Sequence, residues 1–108
     1  MSSVQSRQAE KIRELGEALL ATGHLHLDEQ ATLLGLPRST TWHLIHARHK
    51  TSGLSGSLIK RMLGQPRLPE QVRIKVIEYV DEKRAGQYGH KPPQVRRFIA
   101  ALKRHGTD

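Results

Sequence analysis

Three histidines, His43, His46 and His49, stand three residues apart in GLPRSTTWHLIHARHK, residues 35 to 50, with Arg38, Arg48 and Lys50 among them. Imidazoles at such spacing suit three chemistries: metal ligation, proton transfer, and hydrogen bonding to an acidic partner. Helical geometry disfavours the first. On a helix His43 and His49 are separated by about 9 Å of rise and point about 120° apart around the axis. Ligands of one zinc ion must come within about 2 Å of it. His43 and His46 alone could share an ion, but the remaining ligands would have to come from acid-poor surroundings. His24 and His26 beside Asp28 make a second cluster of ligand types, and they read more simply as a polar turn. No metal or other cofactor is expected.

Nucleophilic and acid–base chemistry find no better support. The chain has no cysteine, its ten acids include no pair in an apolar context, and no glycine-rich phosphate loop is present. No serine stands with a histidine and a carboxylate in a recognisable order. The chain is therefore not expected to be an enzyme, which leaves recognition of an acidic partner.

The charge distribution points the same way. Of a net charge of +8, residues 1 to 29 hold three basic groups against five acids, and residues 30 to 108 hold fifteen against five. No acid occurs between Glu29 and Glu70, while Arg38, Arg48, Lys50, Lys60, Arg61 and Arg67 all do. Such a stretch predicts a surface that meets polyanions. The start of the chain, MSSVQSRQAEKIRE, lacks the apolar run of a secretory leader, and no apolar segment approaches the ~18 residues of a membrane span. A soluble, cytoplasmic protein with no membrane partner is expected.

The elements that must position these groups are all helical. At 108 residues the chain has room for one modest core, and with four aromatic residues that core must be built mainly from Leu, Ile, Val and Ala. Ala9, Ile12, Leu15 and Leu19 recur at helical spacing within residues 4 to 22, with Gly16 weakening the middle and Gly23 as a stop. Asp28 is placed to cap a second helix running to about Leu34. Gly35 and Pro37 make a turn, and Ser39 caps a third helix from Thr40 to about His49. Ser55 caps a fourth that ends at Gly64 and Pro66. Pro69 and Glu70 open a fifth carrying Val72, Val76, Tyr79 and Val80, with Ile74 and Ile77 widening its apolar stripe. AGQYGHKPP reads as a linker. A sixth helix from about Pro93 to His105 shows Val95, Phe98, Ile99 and Leu102 at i, i+3, i+4, i+7. The expectation is a compact all-α bundle of five to six helices. Residues 1 to 86 form its main domain, and residues 87 to 108 are a linker and a C-terminal amphipathic helix.

Two helices joined by a short glycine-containing turn follow the plan of a helix-turn-helix. At 100° per residue, Thr41, Leu44, Ile45 and Arg48 share one sector of the third helix, and Ser39, Trp42, His43 and His46 the opposite one. Arg38 sits just ahead, where it could reach a phosphate or a base edge. For Trp42 two placements stand open: tucked at the edge of the core, or in direct contact with a ligand.

LDEQATLLGLPRSTTWHLIH resembles the twenty-residue helix-turn-helix of phage-repressor-like (lambda-repressor-like) and lactose-repressor-like regulators. Ala31 supplies the small residue, Leu34, Gly35 and Leu36 the turn, and Leu44 and Ile45 the later aliphatic positions. Gln30 and Thr41 depart from the pattern by standing where aliphatic residues are usual. The resemblance implies base contacts from Arg38, Ser39, Trp42 and His43 and a buttressing role for the fourth helix. Together these observations predict a transcriptional regulator that binds double-stranded DNA with the third helix in the major groove, using Arg38, Ser39, Thr40, Trp42, His43 and His46. Lys50 and Thr51 at the far end, with Lys60 and Arg61 beyond, would meet the phosphate backbone. A homodimer is expected, with Val95, Phe98, Ile99 and Leu102 as its apolar contact unless that face folds back on its own core. The alternative is a helical protein-interaction module, such as an antitoxin or anti-activator, with only non-specific affinity for DNA.

Overall fold

A computed structural model describes residues 4–48 and 53–103. It is all-helical: α1 Val4–Ala21, α2 Leu27–Leu34, α3 Arg38–Ile45, α4 Gly56–Leu63, α5 Glu70–Arg84 and α6 Pro92–Lys103, with no strand among the described residues. The apolar spacing in α1 buries Ile12, Leu15 and Leu19, and α5 turns Val72, Val76, Tyr79 and Val80 toward the same core. α1 and α5 run antiparallel, with Lys11 reaching Glu78 at 3.0 Å and Lys75 reaching Glu14 at 3.2 Å along their edge. Gly16, which weakens α1 on propensity alone, has a packing reason: a Cβ there would lie 3.3 Å from the Cα of Ile45. The missing side chain lets α3 close onto α1.

α6 folds back on the chain's own core. Phe98 is only 5% exposed, and Ile99 and Leu102 pack against the same cluster. Gly56, the first residue of α4, allows the close fit, since a Cβ would meet the Phe98 carbonyl oxygen. Of the two placements open for the Val95, Phe98, Ile99 and Leu102 face, a dimer contact or the chain's own core, Phe98, Ile99 and Leu102 take the second. The stretch read as a linker is anchored too. Tyr88 is buried against Tyr79, with ring centroids 5.2 Å apart, and donates its hydroxyl to Glu82 at 2.9 Å.

A buried polar chain ties the segment following α3 to this core. The amide of Leu54 donates to the Tyr79 hydroxyl at 2.8 Å, that hydroxyl donates to Gln8 Oε1 at 2.8 Å, and Lys83 Nζ donates to the Leu54 carbonyl at 3.0 Å. Lys83 is 4% exposed, and its ammonium lies 4.5 Å from the centre of the Phe98 ring. Burial pulls its pKa down to about 8 and pushes both the Tyr79 and Tyr88 phenols well above their ordinary range.

Candidate nucleic-acid interface

α3 is positioned by the turn before it. Gly35 takes a left-handed conformation (φ 70°, ψ 30°) that closes α2, while its own amide bonds to the Thr32 carbonyl at 3.3 Å and that of Leu36 to Ala31 at 3.1 Å. This is the Schellman pattern, in which the chain reverses over a residue without a Cβ penalty. Leu36 is buried, and Pro37 then stands in the N-cap position. α3 therefore begins at Arg38, two residues before the Thr40 start expected with Ser39 as its cap. Likewise His26, not Asp28, precedes α2.

The two sectors of α3 separate as their composition requires. Thr41 and Leu44 are buried and Ile45 packs against the core. Arg38, Ser39, Trp42, His43 and His46 are exposed, and Thr40 is half-buried. The residues that depart from the aliphatic pattern are satisfied internally. Thr41 donates its hydroxyl to the Pro37 carbonyl at 2.9 Å, and Gln30 donates its side-chain amide to the His24 carbonyl at 2.8 Å. Both can be buried because each polar atom that donates has a partner.

Trp42 lies on the outer face of α3. It is 38% exposed and makes its ring contacts with its helical neighbours: His46 stacks on it at 4.1 Å and 21°, and His43 meets it edge-on at 5.3 Å. Arg48, assigned from periodicity to the inward sector, lies on this side as well. The helix stops at Ile45, Ala47 adopts a positive φ of 54°, and Arg48 is carried round until its guanidinium carbon lies 5.9 Å from the Trp42 ring centre. The helical extension toward His49 is thus shorter than expected, because a left-handed residue ends the helix although Ala is a strong helix former. Lys50, Thr51 and His49 lie outside the described residues.

Arg61 of α4 and Arg38 lie along one stretch of surface. Together with Asp28, Thr32, Gly35, Leu36 and Pro37 they line a shallow surface groove across the α2–α3 turn. Lys60 is half-buried on α4 and does not line it. Asp28 is the residue that sequence order hides. It lies ten positions from Arg38 along the chain, yet its Oδ1 is 2.9 Å from Arg38 Nε. The acid-free stretch is therefore not acid-free in space. An aspartate in the first turn of one helix and a basic residue at the start of the next become neighbours when the turn between them is this tight. Among the described residues no three histidine or acidic side chains converge as metal ligands would, and no helix is long and apolar enough to cross a membrane.

No protein-family model, curated protein or solved structure matches the chain.

Proposed function

We propose that the chain is a sequence-specific DNA-binding regulator of transcription that lays α3 in the major groove of duplex DNA. The observation that carries this reading is the makeup of one exposed helical face. Arg38, Ser39, Trp42, His43 and His46 project from a helix whose other side is held in the core by Thr41 and Leu44. An α-helix fits the major groove, and these side chains can hydrogen-bond or stack with what they would find there. Arg61 beside Arg38 adds a cation for the backbone, and the first-turn amides of α3 sit at the positive end of a helix dipole. The net charge of +8 supplies long-range attraction to a polyanion.

Readers of this kind commonly bind as dimers to two half-sites one helical turn apart. With Phe98 enclosed, an exposed apolar pair that a second copy could cover stands on α5, where Ile74 and Ile77 are 47% and 45% exposed. The same pair favours a second reading, a protein-interaction module that holds a partner on α5 and binds DNA weakly and without regard to sequence.

Affinity for genomic fragments at two salt concentrations tests the proposal. Binding should be tight at low salt and fall steeply as salt rises, because each phosphate neutralised releases a counterion. No binding at low salt, or binding indifferent to salt, would sink it.

A further inference from the structure

The histidines of α3 are held in one hydrogen-bonding state. His43 Nδ1 lies 2.6 Å from the carbonyl oxygen of Ser39, and His46 Nδ1 lies 2.9 Å from that of Trp42. A carbonyl oxygen only accepts, so in each ring Nδ1 must carry the hydrogen. A neutral imidazole has just one N–H, which leaves Nε2 with its lone pair. Both side chains are exposed, and the Trp42 indole, stacked on one ring and edge-on to the other, holds the pair in place. The outer edge of α3 therefore offers two acceptors at His43 and His46. Donors flank it: Arg38, paired with Asp28, and Arg48 over the Trp42 ring. α1, packed behind α3 at Gly16, contributes Arg13 and Glu17 to its own exposed side, and Glu29 of α2 is engaged by His24 at 2.9 Å.

Building on the DNA-binding reading, we infer that His43 and His46 select bases that carry an exocyclic amino group, adenine or cytosine, on the major-groove edge. Adenine N6 and cytosine N4 are the hydrogen-bond donors displayed in that groove, whereas guanine N7 and O6 and thymine O4 are acceptors that a lone pair cannot engage. Arginine and histidine on one helix then divide the code, Arg38 suiting guanine and the two imidazoles suiting amino-bearing bases.

Selection of bound sites from random-sequence duplex DNA at pH ~8, where ordinary imidazole is neutral, tests this with the full chain. H43A and H46A, both on the solvent side of α3, should each relax one position of the enriched motif, and that position should be adenine or cytosine. Replacing that base by its analogue without the amino group should weaken wild-type binding about 2- to 10-fold, as expected for one hydrogen bond, and leave the matching Ala variant unchanged. Three outcomes overturn the inference while leaving DNA binding intact: relaxed positions that are guanine or thymine, no relaxed position, or equal loss in wild type and variant. Failure to enrich any motif overturns the sequence-specific DNA reading itself, and this inference with it.

Discussion

The residues of the α3 face are not equivalent in how they can be used. Arg38 is paired with Asp28 across an exposed surface, where such a contact stabilises the fold by about 1 kcal/mol at most. For the proposed DNA binding the consequence is larger, since the carboxylate would both occupy the guanidinium and repel phosphate. Asp28→Asn should leave stability nearly unchanged and tighten duplex binding roughly two- to tenfold at low salt, read by anisotropy of a labelled DNA. Weaker binding would mean that Asp28 orients Arg38 for its target. Ala at Arg38 should reduce discrimination between selected and random DNA more than it reduces binding to random DNA. Equal reductions would limit Arg38 to phosphate contact. The shared exposed face of Arg38, Trp42 and His43 was legible because a three-residue turn and a 100° step place them without knowledge of the rest of the fold. Asp28 and Arg48 were not: one arrives through a tertiary juxtaposition, the other through a left-handed residue that no propensity signals.

At the scale of elements, glycines decide how α3 and α6 are seated. Gly35 needs its positive φ, and a Cβ would also press into the Gln65 side chain, so Gly35→Ala should lower stability by about 1–2 kcal/mol. DNA binding at temperatures where the variant is folded would report how far α3 has moved. Gly16→Leu should be worse, because the incoming side chain meets α3 backbone, and a loss of about 2–3 kcal/mol is expected from urea unfolding. For α6, Phe98→Ala should destabilise the monomer by about 3–4 kcal/mol. A residue held only for a dimer contact would leave monomer stability unaltered. The amphipathic pattern of α6 was plain in the sequence, but a stripe at i, i+3, i+4, i+7 says only that something covers it. What covers it is set by Gly56, forty-two residues before Phe98, which lets α4 approach closely enough. Conversely, the surplus isoleucines of α5 were visible as more apolar surface than one contact needs, and Ile74 and Ile77 are exposed.

For the whole molecule, the buried Lys83 makes stability depend on pH. In the folded chain its pKa is near 8 and in the unfolded chain near 10.5, so between those values the unfolded state binds more protons and stability rises with pH. The gain is complete only above the unfolded value and is lost as pH falls through the folded one. The tyrosines act oppositely from about pH 10, where unfolded phenols ionise and the buried ones stay neutral. Stability should therefore climb from pH ~8 to a maximum near pH ~10, by up to about 3 kcal/mol, and Lys83→Met should flatten that climb. Denaturant unfolding across pH 7 to 10 checks both curves, and an unchanged slope in the variant would remove Lys83 from the account. The proposed contact of the α3 outer face with DNA is independent of Lys83. The chain contains one tryptophan, and it stands on that face. Its emission should change saturably as unlabelled duplex DNA is added at low salt, in step with binding followed on labelled DNA, and should recover as salt is raised. Binding on labelled DNA with no change in Trp42 emission would contradict the claim.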